Sequence, residues 1–154
     1  MPEEVFRLWL DQRIENNGWP PVGPTWENVL RQIPFNRWQR LSWRETTLDL
    51  RVANVTLATS AVLESLKAAI FYRQNNEYSE MSIESRRKTG DILVFIHKNQ
   101  RLPSKLIFVE TSFGYELVDG CHRLATFICL SELGTKVPPI SPLAPAWVGF
   151  DGEE

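Results

Sequence analysis

Histidine and cysteine are scarce in this 154-residue chain, with two of each. Cys121 and Cys129 stand eight positions apart in a stretch with helical periodicity, too far along a helix to bond to each other. They read as free thiols of a reducing compartment. His97 and His122 are 25 residues apart and no cysteine pair has zinc spacing, so no structural metal is expected. The formal charge is only −2, which removes the simplest electrostatic argument for nucleic acid but allows a local basic patch. No apolar run approaches the roughly 20 residues of a membrane helix. The opening "MPEEVFRLWL" is acidic where a secretory leader is basic. A nucleophile-elbow motif is missing, which leaves a serine hydrolase unsupported. With 43% apolar residues, the expectation is one cytoplasmic domain, without a membrane partner, that buries its own core.

What is present reads as alternating helices and strands. Phe6, Trp9, Leu10 and Ile14 have helical spacing over residues 3–16, and Asn17-Gly18 supplies a stop. "WPPVGP" is a rigid connector, Thr25 can cap a short helix over 26–32, and Pro34 ends it. "RETTLDLRVANVT" alternates as a strand, with Leu48, Leu50 and Val52 on one face and Val55 and Leu57 on the other. Ser60 opens an amphipathic helix with Val62, Leu63, Leu66, Ile70 and Phe71 inward and an end near "RQNN". A helix over 82–98, bent or interrupted at Gly90, follows. "KLIFVE" and "YELV" form a hairpin across "TSFG". A helix over 121–133 stops at Gly134, and "AWVGF" is a last strand.

The strand–helix junction "YELVDGCHRLATFICL" sets Asp119, Gly120, Cys121, His122 and Arg123 side by side. A helix that starts there leaves several backbone N–H groups without partners, at the positive end of its dipole. Such donors suit a phosphate or carboxylate. Gly120 allows close approach, Arg123 offers a planar fork, and His122 adds a donor. The helix dipole and adjacent cations would lower the Cys121 thiol. The same residues also read as purely structural, with Asp119 as an N-cap for Cys121 or His122, Cys121 a small buried residue and Arg123 paired with Glu116. Spacing alone leaves both readings open.

The segment "YELVDGCHRLAT" resembles the strand–turn–helix motif of the ParB/sulfiredoxin-like superfamily, Asp-Gly, a variable residue, then His-Arg. The order around it also agrees, from the helix ending in "KNQRLP" through two strands to "AWVGF", over roughly residues 80–150. The resemblance implies a small α+β fold with a mixed sheet, assigned to residues 42–154; residues 1–41 match nothing in the family and read as a helical extension. It implies that Asp119, Gly120, Cys121, His122 and Arg123 hold the phosphates of a nucleoside di- or triphosphate. A bound nucleotide would bring magnesium with it, and phosphoryl transfer or NTP hydrolysis is the candidate reaction. Asp119 and Glu116 are the nearest candidates for the magnesium and, with Cys121, for catalysis. Sulfiredoxins share the residue types of Gly120 to Arg123 and use the cysteine catalytically, which makes thiol chemistry at Cys121 an alternative. They carry glycine where this chain has Asp119, and an N-terminal phosphate-contacting segment.

A further alternative is a non-catalytic regulatory or interaction module. Five of the six tryptophans and seven of the twelve arginines fall in the first 51 residues. Arg37, Trp38, Arg40, Trp43 and Arg44 interleave there as a surface for stacking on nucleic acid or for a protein partner. The same residues also read as tryptophans that anchor the N-terminal segment, with arginines laid across apolar surface. Seven acidic residues balance the seven arginines in that segment. Glu110 and Glu116 flank the hairpin as candidate general bases.

Overall fold

A computed structural model of the chain describes residues 1–70, 80–134 and 139–152. The first helical stretch is α1 (Glu3–Val5), a π-helical turn over Phe6–Leu10, and α2 (Asp11–Asn17). Then come α3 (Pro24–Val29), α4 (Phe35–Arg40), β1 (Leu41–Asp49), α5 (Leu57–Ile70) and α6 (Glu80–Asn99). The remaining elements are β2 (Leu106–Thr111), β3 (Gly114–Asp119), α7 (Cys121–Leu133) and β4 (Leu143–Asp151). The fold is α+β, with a mixed sheet in the order β1-β4-β2-β3. β4 pairs antiparallel with β1 and parallel with β2, and β2 pairs antiparallel with β3.

Alternation along β2 explains the layers. Leu106 and Phe108 point to one face, Ile107 and Val109 to the other, and all four are fully buried. A strand apolar on both faces needs cover on both. On the first face lie Leu63 of α5, Ile92 and Ile96 of α6, and Leu124, Phe127 and Leu130 of α7. On the second lie Val5, Trp9, Leu10, Trp26, Leu30, Ile33 and Trp38 from the N-terminal helices. Trp9 and Trp38 stack with ring centroids 4.7 Å apart. Among the described residues no helix is long and apolar enough to cross a membrane.

Several expected boundaries move, each for a local reason. α3 begins with Pro24 after the left-handed Gly23 and has no side-chain cap, so Thr25 does not cap it. β1 starts earlier than expected, at Leu41, because its pairing with β4 begins there, opposite Asp151, directly after α4. The strand does not run on to residue 56: Leu48 and Leu50 pack into the first core, but Val52 is exposed. Only Val55 continues as a bridge to Tyr115. Leu57 opens α5 and is 90% exposed, because Thr56 and not Ser60 is the cap: its hydroxyl accepts the Thr59 N–H at 3.1 Å. α6 runs through Gly90 without interruption; that glycine is exposed and meets nothing a side chain would touch. Phe71 and the helix end expected near "RQNN" lie outside the described residues.

Candidate functional site

The hairpin and the helix after it take the expected positions, which puts the five-residue junction at a true strand–turn–helix corner. A register shift between Ile107 and Phe108 pairs Ile107 with Asp119 and Phe108 with Leu117, leaving a bulge at the end of β3. Gly120 then adopts φ 102° as the N-cap of α7. A side chain there would be strained by that torsion and would overlap Leu106 and the Arg123 guanidinium. No side chain caps the helix. Asp119 therefore does not act as N-cap. It accepts a hydrogen bond from Arg123, which also donates to the carbonyls of Lys105 at 2.8 Å and Pro103 at 3.3 Å. Arg123 thus ties the turn to the start of β2, and it pairs with Asp119 rather than Glu116.

Beyond the turn opens a cavity of about 430 Å³ lined by Asp119, Gly120, Cys121, His122 and Arg123. The other walls carry Arg13 of α2, Arg31 from the turn after α3, and Arg87, Lys88 and Asp91 of α6. Five cationic side chains face two acidic ones, in a protein whose net charge is −2. Arg31 and Gln32 both have left-handed torsions, φ 56° and 59°, a conformation that costs about 1–2 kcal/mol per residue. The pair bends the chain so that Arg31 Nη2 donates to Cys121 Sγ at 3.2 Å. Both acids of the cavity are already ion-paired, Asp119 with Arg123 and Asp91 with Arg87.

The electrostatics of Cys121 reverse the expectation from its position. Burial pushes its thiol above the ordinary range, and the Arg31 cation opposes that shift without overcoming it. His122 is pushed below its usual value by burial and by Lys88, so its imidazole is neutral at pH 7. Its Nε2 lies 3.0 Å from the Ser85 hydroxyl. Cys129, two turns along α7, is buried and its thiol is raised to about 11.

Glu116 is not part of this constellation. It is buried, its carboxylate accepts the Thr56 hydroxyl, and it lines a second cavity on the edge of β3. The three candidate catalytic side chains are therefore split, with Cys121 and Asp119 in one cavity and Glu116 in the other. Glu110 pairs with Arg44 at 2.9 Å.

The proposed stacking surface is also dismantled. Trp38 is buried between Trp9 and Trp43, and its Nε1 donates to the Leu30 carbonyl at 3.1 Å. Trp43 is half-buried against the same core. Arg37 is paired with Asp151, Arg44 lies over Phe150, and Arg40 bonds the carbonyl of its own helix at Asn36. Large rings gain more by covering the sheet than by waiting in water. The sequence reading missed Arg13, Arg87 and Lys88. The run Arg86-Arg87-Lys88 was a visible signal, but nothing local says that its last two members face the turn.

The donor set fits phosphate oxygens through the uncapped start of α7 and through Arg13 and Arg31, the cavity's cations without a carboxylate partner among the described residues. Arg87 and Lys88 are paired with Glu84, and Arg123 with Asp119. It fits a protein-held magnesium poorly, because the cavity's acids are occupied by arginine. Among the described residues no three His, Cys, Asp or Glu side chains gather as a metal-binding group. Comparison with protein-family models, with curated proteins and with solved structures finds no match to this chain.

Proposed function

We propose that this chain binds a phosphorylated small molecule, of the nucleoside di- or triphosphate class, with the phosphates in the cavity at Asp119–Arg123. The observation that carries the reading is the convergence of Arg13, Arg31, Arg87, Lys88 and Arg123 on the open N-terminus of α7. The volume, about 430 Å³, falls in the range of small-molecule sites. The ParB/sulfiredoxin-like order of elements adds support, since the strand–turn–helix corner carries the Asp-Gly-x-His-Arg motif where that family places its phosphates. Arg13 and Arg31 are the principal anion contacts in this reading, and Arg123 holds the turn. Magnesium, where it accompanies the ligand, is carried by the phosphates.

We assign binding and no reaction, because the candidate catalytic groups do not converge. A raised thiol at Cys121 argues against sulfiredoxin-like chemistry, which needs a thiolate. Thermal-shift measurements with ATP, GTP, CTP, UTP, ADP and inorganic tripolyphosphate test the reading. A ligand at a hundred times its dissociation constant adds about 2.7 kcal/mol of stability. Stabilisation by tripolyphosphate and at least one nucleotide, weakening with salt, is expected. A flat response to every one of them at low ionic strength would overturn it.

A further inference from the structure

The second cavity has the opposite character. At about 830 Å³ it is nearly twice the first, and Ile33, Val55, Ala58 and Phe113 give it mainly apolar walls. One side of it is formed where residues Asn54 to Thr56 run along the exposed edge of β3. The Tyr115 N–H donates to the Asn54 carbonyl at 2.8 Å, and the Thr56 N–H to the Tyr115 carbonyl at 3.0 Å. The approach is so close that a side chain at Gly114 would meet the Asn54 carbonyl at 2.5 Å.

Set into this wall is Glu116, only 7% exposed. Among the described residues the Thr56 hydroxyl is its one hydrogen-bond donor, and only to Oε2. The same hydroxyl accepts the Thr59 N–H, which fixes the Thr56 side chain beside Glu116. The two arginines of the cavity are turned to other partners. Arg37 holds Asp151 at 2.9 Å and the Glu110 carbonyl, and Arg31 donates to Cys121. The second oxygen of Glu116 has no donor among the described residues and no cation on it, and it is not among the fully buried unpartnered atoms, so it keeps an opening to the cavity.

We propose that this cavity is a second ligand site, which takes an amine or amidine carried on an apolar body, with Glu116 accepting its N–H groups. An ionised carboxylate favours charged N–H donors over neutral hydroxyls, and the flanking apolar side chains take the rest of the molecule. The site shares only Arg31 with the phosphate cavity, and its ligand needs no phosphate.

The experiment uses the full chain without nucleotide and follows chemical shifts and heats on titration with benzamidine and benzylamine. Benzyl alcohol and benzoate serve as neutral and anionic controls of similar size. The two amines should bind saturably and the controls should not. Glu116→Gln should weaken benzamidine by about tenfold or more. Ala58→Trp, which fills the cavity from its exposed wall and leaves Glu116 in place, should do the same, so the answer survives if Glu116→Gln misfolds. Asp91→Asn, in the wall of the phosphate cavity and not of this one, should bind benzamidine like the parent protein. No saturable binding of either amine, equal binding of benzoate, or parental affinity in a folded Glu116→Gln or in Ala58→Trp would overturn the proposal.

Discussion

The two faces of the sheet are covered by different means. On one, α5, α6 and α7 are long enough to present stripes of aliphatic side chains. On the other, four short helices and a π-helical turn do the covering, and Trp9, Trp26 and Trp38 supply much of the buried area. Short helices have little stability of their own, since nucleation is costly and few bonds follow. Their order comes from aromatic surface pressed against Ile107, Val109 and Val118. The difference matters because the phosphate cavity lies where the layers meet: Arg13 and Arg31 come from the aromatic side, Arg87 and Lys88 from the aliphatic side.

The largest test of that contrast is Trp9→Ala. Trp9 is 2% exposed and stacked on Trp38, so its truncation should destabilise by about 3–5 kcal/mol in urea denaturation. Leu63→Ala, at a site 3% exposed on the aliphatic face, should cost about 2–5 kcal/mol. A loss under about 1 kcal/mol for Trp9→Ala would make the N-terminal layer a loose appendage and break the comparison.

A smaller effect separates the two arginines at the turn. Arg31→Ala should weaken tripolyphosphate by about tenfold with little change in melting temperature. Arg123→Ala should lower the melting temperature first, because it releases Asp119 and the carbonyls of Lys105 and Pro103 together. Calorimetry that finds Arg31→Ala at parental affinity would remove Arg31 from the site and leave Arg13 as the aromatic layer's cation there.

The smallest effect is kinetic. With iodoacetamide at pH 8, Cys121 should react before Cys129, which is buried and raised to about 11. Both should lag a free thiol, and Arg31→Ala should slow Cys121 further by removing the cation that favours its thiolate. Peptide mass spectrometry reads the order; faster labelling of Cys129 would contradict the packing of α7.

The hairpin, α7 and the corner between them were legible because their signals are local: apolar runs of strand length, a tight turn, then Asp-Gly before helical periodicity. The cap of α5 was not, since Thr56 and Ser60 are equally good caps until Thr59 chooses one, and Leu57 is apolar yet exposed. Nor was the role of Asp119, whose carboxylate could reach either the helix N–H groups or Arg123. Charge pairing decided that, as it decided against Glu116 as the partner of Arg123. The convergence of Arg13, Arg31, Arg87 and Lys88 belongs to tertiary structure alone.

The place of β4 has a consequence for how the chain comes to be folded. It joins β1 to β2, pairing Leu41 with Asp151 at one end and Asp49 with Leu143 at the other. During synthesis β1 (Leu41–Asp49) emerges early, and the strand it needs (Leu143–Asp151) follows about two-thirds of the chain later. Until then the pairing edges of β1 and β2 stay open, with Ile107, Val109 and Trp43 nearby, the kind of surface that recruits other chains. The β1–β4 pairing closes a long loop, and the entropy of that closure slows the step with which this protein completes its sheet. Its most exposed moment is the interval before the last strand closes the sheet.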